Sequence, residues 1–332
     1  MKSGQAQMDK RILARVEKAI REKVFPGCVL GIVRKSGERN ILPFGASIYG
    51  GKEIVEEHTV YDVASITKSI PTASLALLFI NEGKLSLYER VCKYLPELKN
   101  DHGAKMEDLL RYRVSGVQMS TLVGKTPDEI TEHVFERGFD APVGESKYTN
   151  LPAFLLGLII ERVGGKSLNM LAEEYFFKPL NMTRTTFSPN APYIEQSPTE
   201  VDEEGNEVRG VPHDESARVF AKAGHAVGHA GLFSTVPDLL NFLEALLQGK
   251  FPYILDGAEK GLGWQVNDKN FMGQYAGQKT FGKTGFTGTS VLCDIPRATA
   301  LVILSNRTYP KRPPNDDAIL TFRRDIADIL FS

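Results

Sequence analysis

Three short groups of residues carry side chains able to do acyl chemistry. In VASITKSI (63–70), Ser65 and Lys68 stand three apart, ahead of the apolar run SLALLFI (74–80). That spacing puts both on one helical face, at the mouth of a segment that otherwise reads as core. In one reading Ser65 caps the helix and Lys68 snorkels to water. In the other, Ser65 is a nucleophile and Lys68 its built-in base. Roughly one S-x-x-K arises by chance in a chain this long, so the motif needs company. Two further groups follow: Tyr148-Thr149-Asn150 and Lys283-Thr284-Gly285. Singly, Asn150 reads as an N-cap for the next helix, and Lys283-Thr284-Gly285 as an edge strand and turn.

Taken together, the groups supply what acyl transfer needs: a nucleophile, a base, a proton donor and an oxyanion site. Ser65 is the candidate nucleophile. Lys68 can act as a base only if its pKa falls, through desolvation and a nearby cation. Lys283 could be that cation, and could also hold a substrate carboxylate. Tyr148 is a candidate shuttle for the leaving-group proton, and Asn150 could present its amide to both Lys68 and substrate.

The flanking pattern says which elements position them. The first 24 residues form an amphipathic helix with Ile12, Val16 and Ile20 on one stripe. CVLGIVRKSG and RNILPFGAS read as a hairpin of strands. Pro71 cannot donate to the carbonyl of Thr67, so the turn beside Lys68 should be kinked or irregular. Residues 84–235 read as helices and loops, with SPNAPYIEQSPTEVDEEGNEV a surface loop. VPDLLNFLEALLQGK is an amphipathic helix. QKTFGKTGFTGTSVLCDI and ATALVILSNRT are β-branched, Gly-punctuated strands, and FRRDIADILF closes the chain as a helix. Strands at both ends around a helical block predict an α+β sheet lobe from 1–62 and 236–332, a mainly helical lobe from 63–235, and a cleft between them.

Composition narrows the partners. A net charge of −1 and a pI near 6.6 leave no basic field to attract nucleic acid. No apolar run reaches bilayer length, and the N-terminus lacks the apolar core of a secretory signal. On that ground the expected compartment is the cytoplasm, or outside it if a leader has been removed. Cys28, Cys92 and Cys293 lack metal spacing, and their odd number argues against a disulfide framework. His213, Asp214, His225 and His229, in VPHDES and GHAVGHAG, could hold a metal. The glycine-rich H-x-x-x-H lacks the glutamate of H-E-x-x-H, however, which favours hydrogen bonding near the site rim. No G-x-S-x-G elbow supports a Ser-His-Asp triad. Trp264 suits a strand or packing role.

The order S-x-x-K, Y-x-N, K-T-G resembles the serine β-lactamase and penicillin-binding-protein superfamily. The tyrosine version is similar to its class C β-lactamase and D-alanyl-D-alanine carboxypeptidase branch, which also holds esterases. EGKLSLYERVCKYLPEL, LLGLIIERVGGKSL, KPLNMTRTTF, AVGHAGLFSTVPDLLNF and GFTGTSVLCDI extend the resemblance from about residue 10 to the end. It implies a β-lactamase/transpeptidase-like fold with an antiparallel, five-stranded-type sheet, and a two-step hydrolysis through a Ser65 acyl-enzyme with no cofactor or metal. Lys68 and Tyr148 would handle the proton, and Asn150 would position lysine and substrate. Lys283 and Thr284 would bind the substrate, and Gly285 and Gly288 would let it lie close to the strand. The backbone N–H groups of Ser65 and Phe286 would form the oxyanion hole. Implied substrates are small esters, amides or β-lactams. D-alanyl-D-alanine peptides are the alternative, and a non-catalytic ligand sensor or scaffold is a third reading. The oligomeric state is left open.

Two departures stand out. LLRYRVSGV (109–117) replaces the family's L-L-T-H-T-S-G-L, with Arg111 and Arg113 putting the packing of the site floor in question. Relatives sharing G-F-T-G-T often carry His where this chain has Lys283; a fixed cation there favours carboxylate-bearing substrates.

Overall fold

The structure is a computed structural model describing residues 2–144 and 147–332. Six strands form one antiparallel sheet: β1 (Gly27–Arg34), β2 (Arg39–Gly45), β3 (Gln265–Val266), β4 (Thr280–Thr284), β5 (Ser290–Asp294) and β6 (Thr299–Ser305), in the order β2-β1-β6-β5-β4-β3. The sixth strand, beyond the five expected, is the two-residue β3 that follows Trp264. Trp264 is buried and meets Phe281 of β4 edge-on at 5.4 Å.

The sheet carries a core on each face, and strand alternation divides the apolar residues between them. Cys28, Leu30, Ile32, Leu301 and Ile303 join Ile12 and Val16 of helix α1 (Lys2–Arg21) and Phe322 and Ile326 of the closing helix (Asp317–Phe331). Val29, Val33, Ala300, Val302 and Leu304 face the other way, onto the amphipathic helix Val236–Leu247. That helix lies so close that a Cβ at Gly31 would sit 2.3 Å from Val236 Cγ1. Cys28 and Cys293 are buried thiols whose pKa burial raises; Cys92 is half-buried, and none is bonded to another.

Between the strands lie mostly helices and loops. Helix α2 (Ser74–Asn81) and helix α3 (Leu151–Gly164) are both apolar nearly all round and share the larger core. The expected irregular turn is present. Ile70, restricted by the following Pro71, takes φ −118° and ψ 109° and separates the tight turn Ala64–Lys68 from α2. Within the expected surface loop, Glu200–Val201 and Glu207–Val208 pair as a short hairpin. Among the described residues, no helix is long and apolar enough to cross a membrane.

Candidate active site

Ser65 is the second residue of the 3₁₀ turn Ala64–Lys68. It does not cap the helix, as one reading of the motif expected. The first N–H of the turn is instead held by Asp62, a residue with no signal of its own in the sequence. Asp62 Oδ1 accepts the Ala64 N–H at 2.8 Å and Oδ2 accepts the His213 N–H at 2.7 Å. Burial outweighs these two hydrogen bonds and pushes the Asp62 pKa up to about 6. Ala64 is held at φ +48°, a left-handed conformation uncommon for a residue with a β-carbon, directly before Ser65. Thr67 Oγ1 donates to the Ala64 carbonyl at 2.6 Å and closes the turn.

Lys68 is buried, and Nζ donates to Ser65 Oγ at 2.8 Å and to the His229 carbonyl at 2.6 Å. Desolvation lowers its pKa to about 8, against the opposing field of Asp214. The expected depression is therefore present with desolvation as its cause. Lys283, offered as the cation that would do it, is affected instead: burial first, and the field of Lys68 second, push Lys283 well below the usual ammonium range. Lys283 is 2% exposed at the end of β4, its Nζ 4.5 Å from the ring centre of Tyr148 and 4.9 Å from that of Tyr112. It is thus a buried lysine against two aromatic rings, shielded from bulk water.

Tyr148 lies just before α3. More than half of the residue is exposed, but its hydroxyl turns inward toward Ser65, and burial there raises its pKa to about 12. Its ring packs on Tyr112 with centroids 5.3 Å apart. Tyr112 lies in the departing LLRYRVSGV stretch and is the residue there that enters the site. The neighbouring arginines turn outward: Arg111 pairs with Glu107 at 2.7 Å, and Arg113 lies 3.8 Å from Asp108.

Asn150 differs from expectation. Its Nδ2 donates to Asp214 Oδ2 at 2.8 Å, and the second hydrogen bond of Lys68 goes to the His229 carbonyl. Asn150 makes no side-chain cap on α3 either. The carbonyl of His229 is in place because Gly228 has no side chain: a Cβ there would lie 2.2 Å from the Ala153 carbonyl of α3. Thr72 Oγ1 ties down the Gly228 carbonyl at 2.8 Å. The glycines of GHAVGHAG thus seat a backbone acceptor under Lys68. The expected hydrogen bonding is made by the ring of His229, which is fully buried, whereas His213 bonds through its backbone N–H to Asp62.

The K-T-G strand runs past its short neighbour. β3 pairs only with Phe281 and Gly282, leaving Lys283 and Thr284 on an open sheet edge beside Ser65. Gly285 follows with its Cα against the 3₁₀ turn; a Cβ would lie 2.4 Å from the Val63 carbonyl and 2.1 Å from Thr289 Oγ1. Gly288 sits at φ +112°, where a Cβ would meet Ser305 Oγ at 2.3 Å. Both glycines therefore answer to close approach within the chain itself, where the sequence reading gave them to substrate. Phe286 follows directly, and among the described residues neither its N–H nor that of Ser65 has a backbone acceptor. The Phe286 ring, 38% exposed, lies between His213, at 5.7 Å, and the guanidinium groups of Arg307 and Arg312, at 4.7 and 5.0 Å.

The arrangement sets a hydroxyl, a buried amine and a phenol side by side, the groups that acyl transfer needs. Comparison with known proteins agrees with this chemistry. The sequence model of the family described as Beta-lactamase matches residues 13–324. An N-acetylmuramyl-L-alanine amidase of Bacillus subtilis is 26% identical over 93% of this chain and 85% of its own length. In three dimensions, EstCE1, a hydrolase with promiscuous acyltransferase activity, superposes with a TM-score of 0.76 at 19% identity, covering 100% of both chains. A β-lactamase/D-alanine carboxypeptidase from Pseudomonas syringae gives 0.75 at 19% identity over 98% of each. The chain belongs to the Beta-lactamase family and is a serine acyl hydrolase of the β-lactamase/transpeptidase fold.

Proposed function

We propose that this enzyme hydrolyses small esters and amides through an acyl group carried on Ser65. The 2.8 Å contact between Ser65 Oγ and a buried Lys68 with a depressed pKa carries the reading. In its amine form Lys68 accepts the Ser65 proton as Oγ attacks the substrate carbonyl. The oxyanion then receives the N–H groups of Ser65 and Phe286. Tyr148, whose high pKa keeps it a phenol at working pH, passes its proton to the leaving group and regains one from Lys68. Water then attacks the ester on Ser65, its proton returns through Lys68 and Tyr148, and the acid departs with Ser65 Oγ reprotonated. Thr284 and the open edge of β4 hold the substrate backbone. Every step uses only groups of this chain, substrate and water.

A β-lactam offers the same carbonyl chemistry. D-alanyl-D-alanine peptides remain the second reading, since a substrate carboxylate beside Lys283 would favour its charged form.

The reading fixes the pH dependence. Lys68 must be unprotonated to act as base, so kcat/KM for ester acylation rises with pH through an inflection near 8 and lies about tenfold below its plateau one pH unit under that inflection. A kcat/KM profile from pH 6 to 10 on a p-nitrophenyl ester checks this; a flat profile contradicts it. Release of one equivalent of p-nitrophenol without turnover would instead favour a ligand sensor.

A further inference from the structure

VPHDES and GHAVGHAG, which the reaction above leaves unused, meet beneath the Ser65–Lys68 pair. Asp214 caps helix α4 (Glu215–Lys222): its Oδ1 accepts the Ala217 N–H at 2.9 Å and the Ser216 hydroxyl at 2.7 Å. The same oxygen lies 3.3 Å from Nε2 of the fully buried His229, which is itself 2.9 Å from Ser216 Oγ. A carboxylate oxygen only accepts, so this network assigns the proton to Nε2. Asp214 Oδ2 accepts the Asn150 carboxamide, and the His229 carbonyl accepts Lys68. One carboxylate therefore holds the Y-x-N asparagine, and the histidine bound to it holds Lys68 through its main chain. Burial works against the Asp214 carboxylate. The field and hydrogen bond of His229, with those of Ser216 and Ala217, outweigh it and hold its pKa well below the usual range.

Five elements face Lys68. Ser65 lies in its own turn, Tyr148 ahead of α3, Lys283 on β4, the His229 carbonyl in the loop 225–232 and Asp214 at the head of α4. Asp62, behind the turn, accepts backbone N–H groups with both of its oxygens. Asp214 supplies the negative field, and Lys283 would oppose it if protonated.

Resting on the Ser65–Lys68 reading above, we propose that Asp214 is the positioning residue of this site: it fixes the Asn150 carboxamide and, through His229, the carbonyl that receives Lys68, and its negative charge sets how readily Lys68 gives up a proton. Its effect has a sign that a purely structural role lacks. Removing the charge lowers the Lys68 pKa, so the acid limb of kcat/KM moves to lower pH even as the plateau falls.

The test uses Asp214→Asn and Asp214→Ser, the second retaining a strong N-cap residue should the first fail to fold. Ser216→Ala keeps the charge and serves as control. The expected result is an acid limb moved down by about one unit in the Asp214 variants and unmoved in Ser216→Ala. The plateau should fall about tenfold, and Asn150→Ala should cost less in the Asp214→Asn background than alone. Lys68 is also titrated by NMR of 13C-labelled lysine, which reads its pKa without turnover. A downward shift there in an enzyme lacking any Ser65-dependent acyl group would support the Asp214 role while refuting the hydrolytic reading. A titration of Lys68 that stays at the wild-type pH in both Asp214 variants would reduce Asp214 to a helix cap and overturn the proposal.

Discussion

Lys68→Met is expected to lower kcat/KM for a small ester by about 10³-fold and to erase the inflection near pH 8. Methionine retains the length and apolar stem of lysine, so the buried site stays filled. It loses the amine that accepts the Ser65 proton, together with the hydrogen bonds to Ser65 Oγ and the His229 carbonyl. The carbonyl then lies buried without its partner, which costs about 1–3 kcal/mol unless water replaces it. That loss is largely offset, because the desolvated ammonium is gone as well. The fold should therefore survive with Tm changed by a few degrees while activity collapses. Circular dichroism melts and a pH–kcat/KM profile on the same preparation check both halves. A variant that kept the inflection near 8 would assign it to another group.

Gly285→Ala is the second large effect, and it separates two explanations of the K-T-G glycine. If Gly285 served only to admit substrate, alanine would raise KM and leave stability alone. The geometry predicts otherwise. The new methyl would sit 2.4 Å from the Val63 carbonyl and 2.1 Å from Thr289 Oγ1, and the first of these is backbone. β4 must shift away from the 3₁₀ turn, which loosens the Gly285 N–H to Thr289 carbonyl hydrogen bond of 2.7 Å. Arg323, which donates to the carbonyls of Gly285 and Thr289 from the closing helix, resists that shift. Overpacking of this kind costs about 1–3 kcal/mol. The same movement displaces Phe286, and if its N–H is the oxyanion donor proposed above, its loss lowers kcat by about 10²–10³. Thermal melts without substrate, with kcat and KM on one ester, distinguish the cases.

Legibility of the sequence followed the physics of each feature. The strands read well because β1 and β6 are buried on both faces and therefore apolar through their middles. The irregular turn beside Lys68 was readable because Pro71 has no N–H to give. β3 was missed because two residues carry no period. The elements bearing Ser65, Lys68, Tyr148 and Lys283 were legible as motifs of fixed spacing. What each side chain touches was not, since that depends on residues distant in sequence. Asn150 turns to Asp214, 64 positions on, and Lys68 to a carbonyl 161 positions on. Lys283 read as a cation because lysine ordinarily is one; its burial under Tyr112 and Tyr148 exists only in the assembled fold. Gly285 and Gly228 were visible as glycines, but the backbone each one accommodates comes from elsewhere in the chain. Tyr112 carried a usable signal, lying where the stretch departs from the family pattern. Asp62 carried none.

The central claim is that Ser65 carries the acyl group. Its most direct test is intact mass against time after mixing the enzyme with a p-nitrophenyl ester, and separately with a penicillin, with Ser65→Ala alongside. The account predicts a transient adduct of acyl mass on the wild-type protein, mapped by peptide fragmentation to Ser65, and none on folded Ser65→Ala. Decay of the adduct at the rate of turnover completes the two-step reaction. Hydrolysis by folded Ser65→Ala at the wild-type rate, or an adduct mapped to another residue, would contradict it.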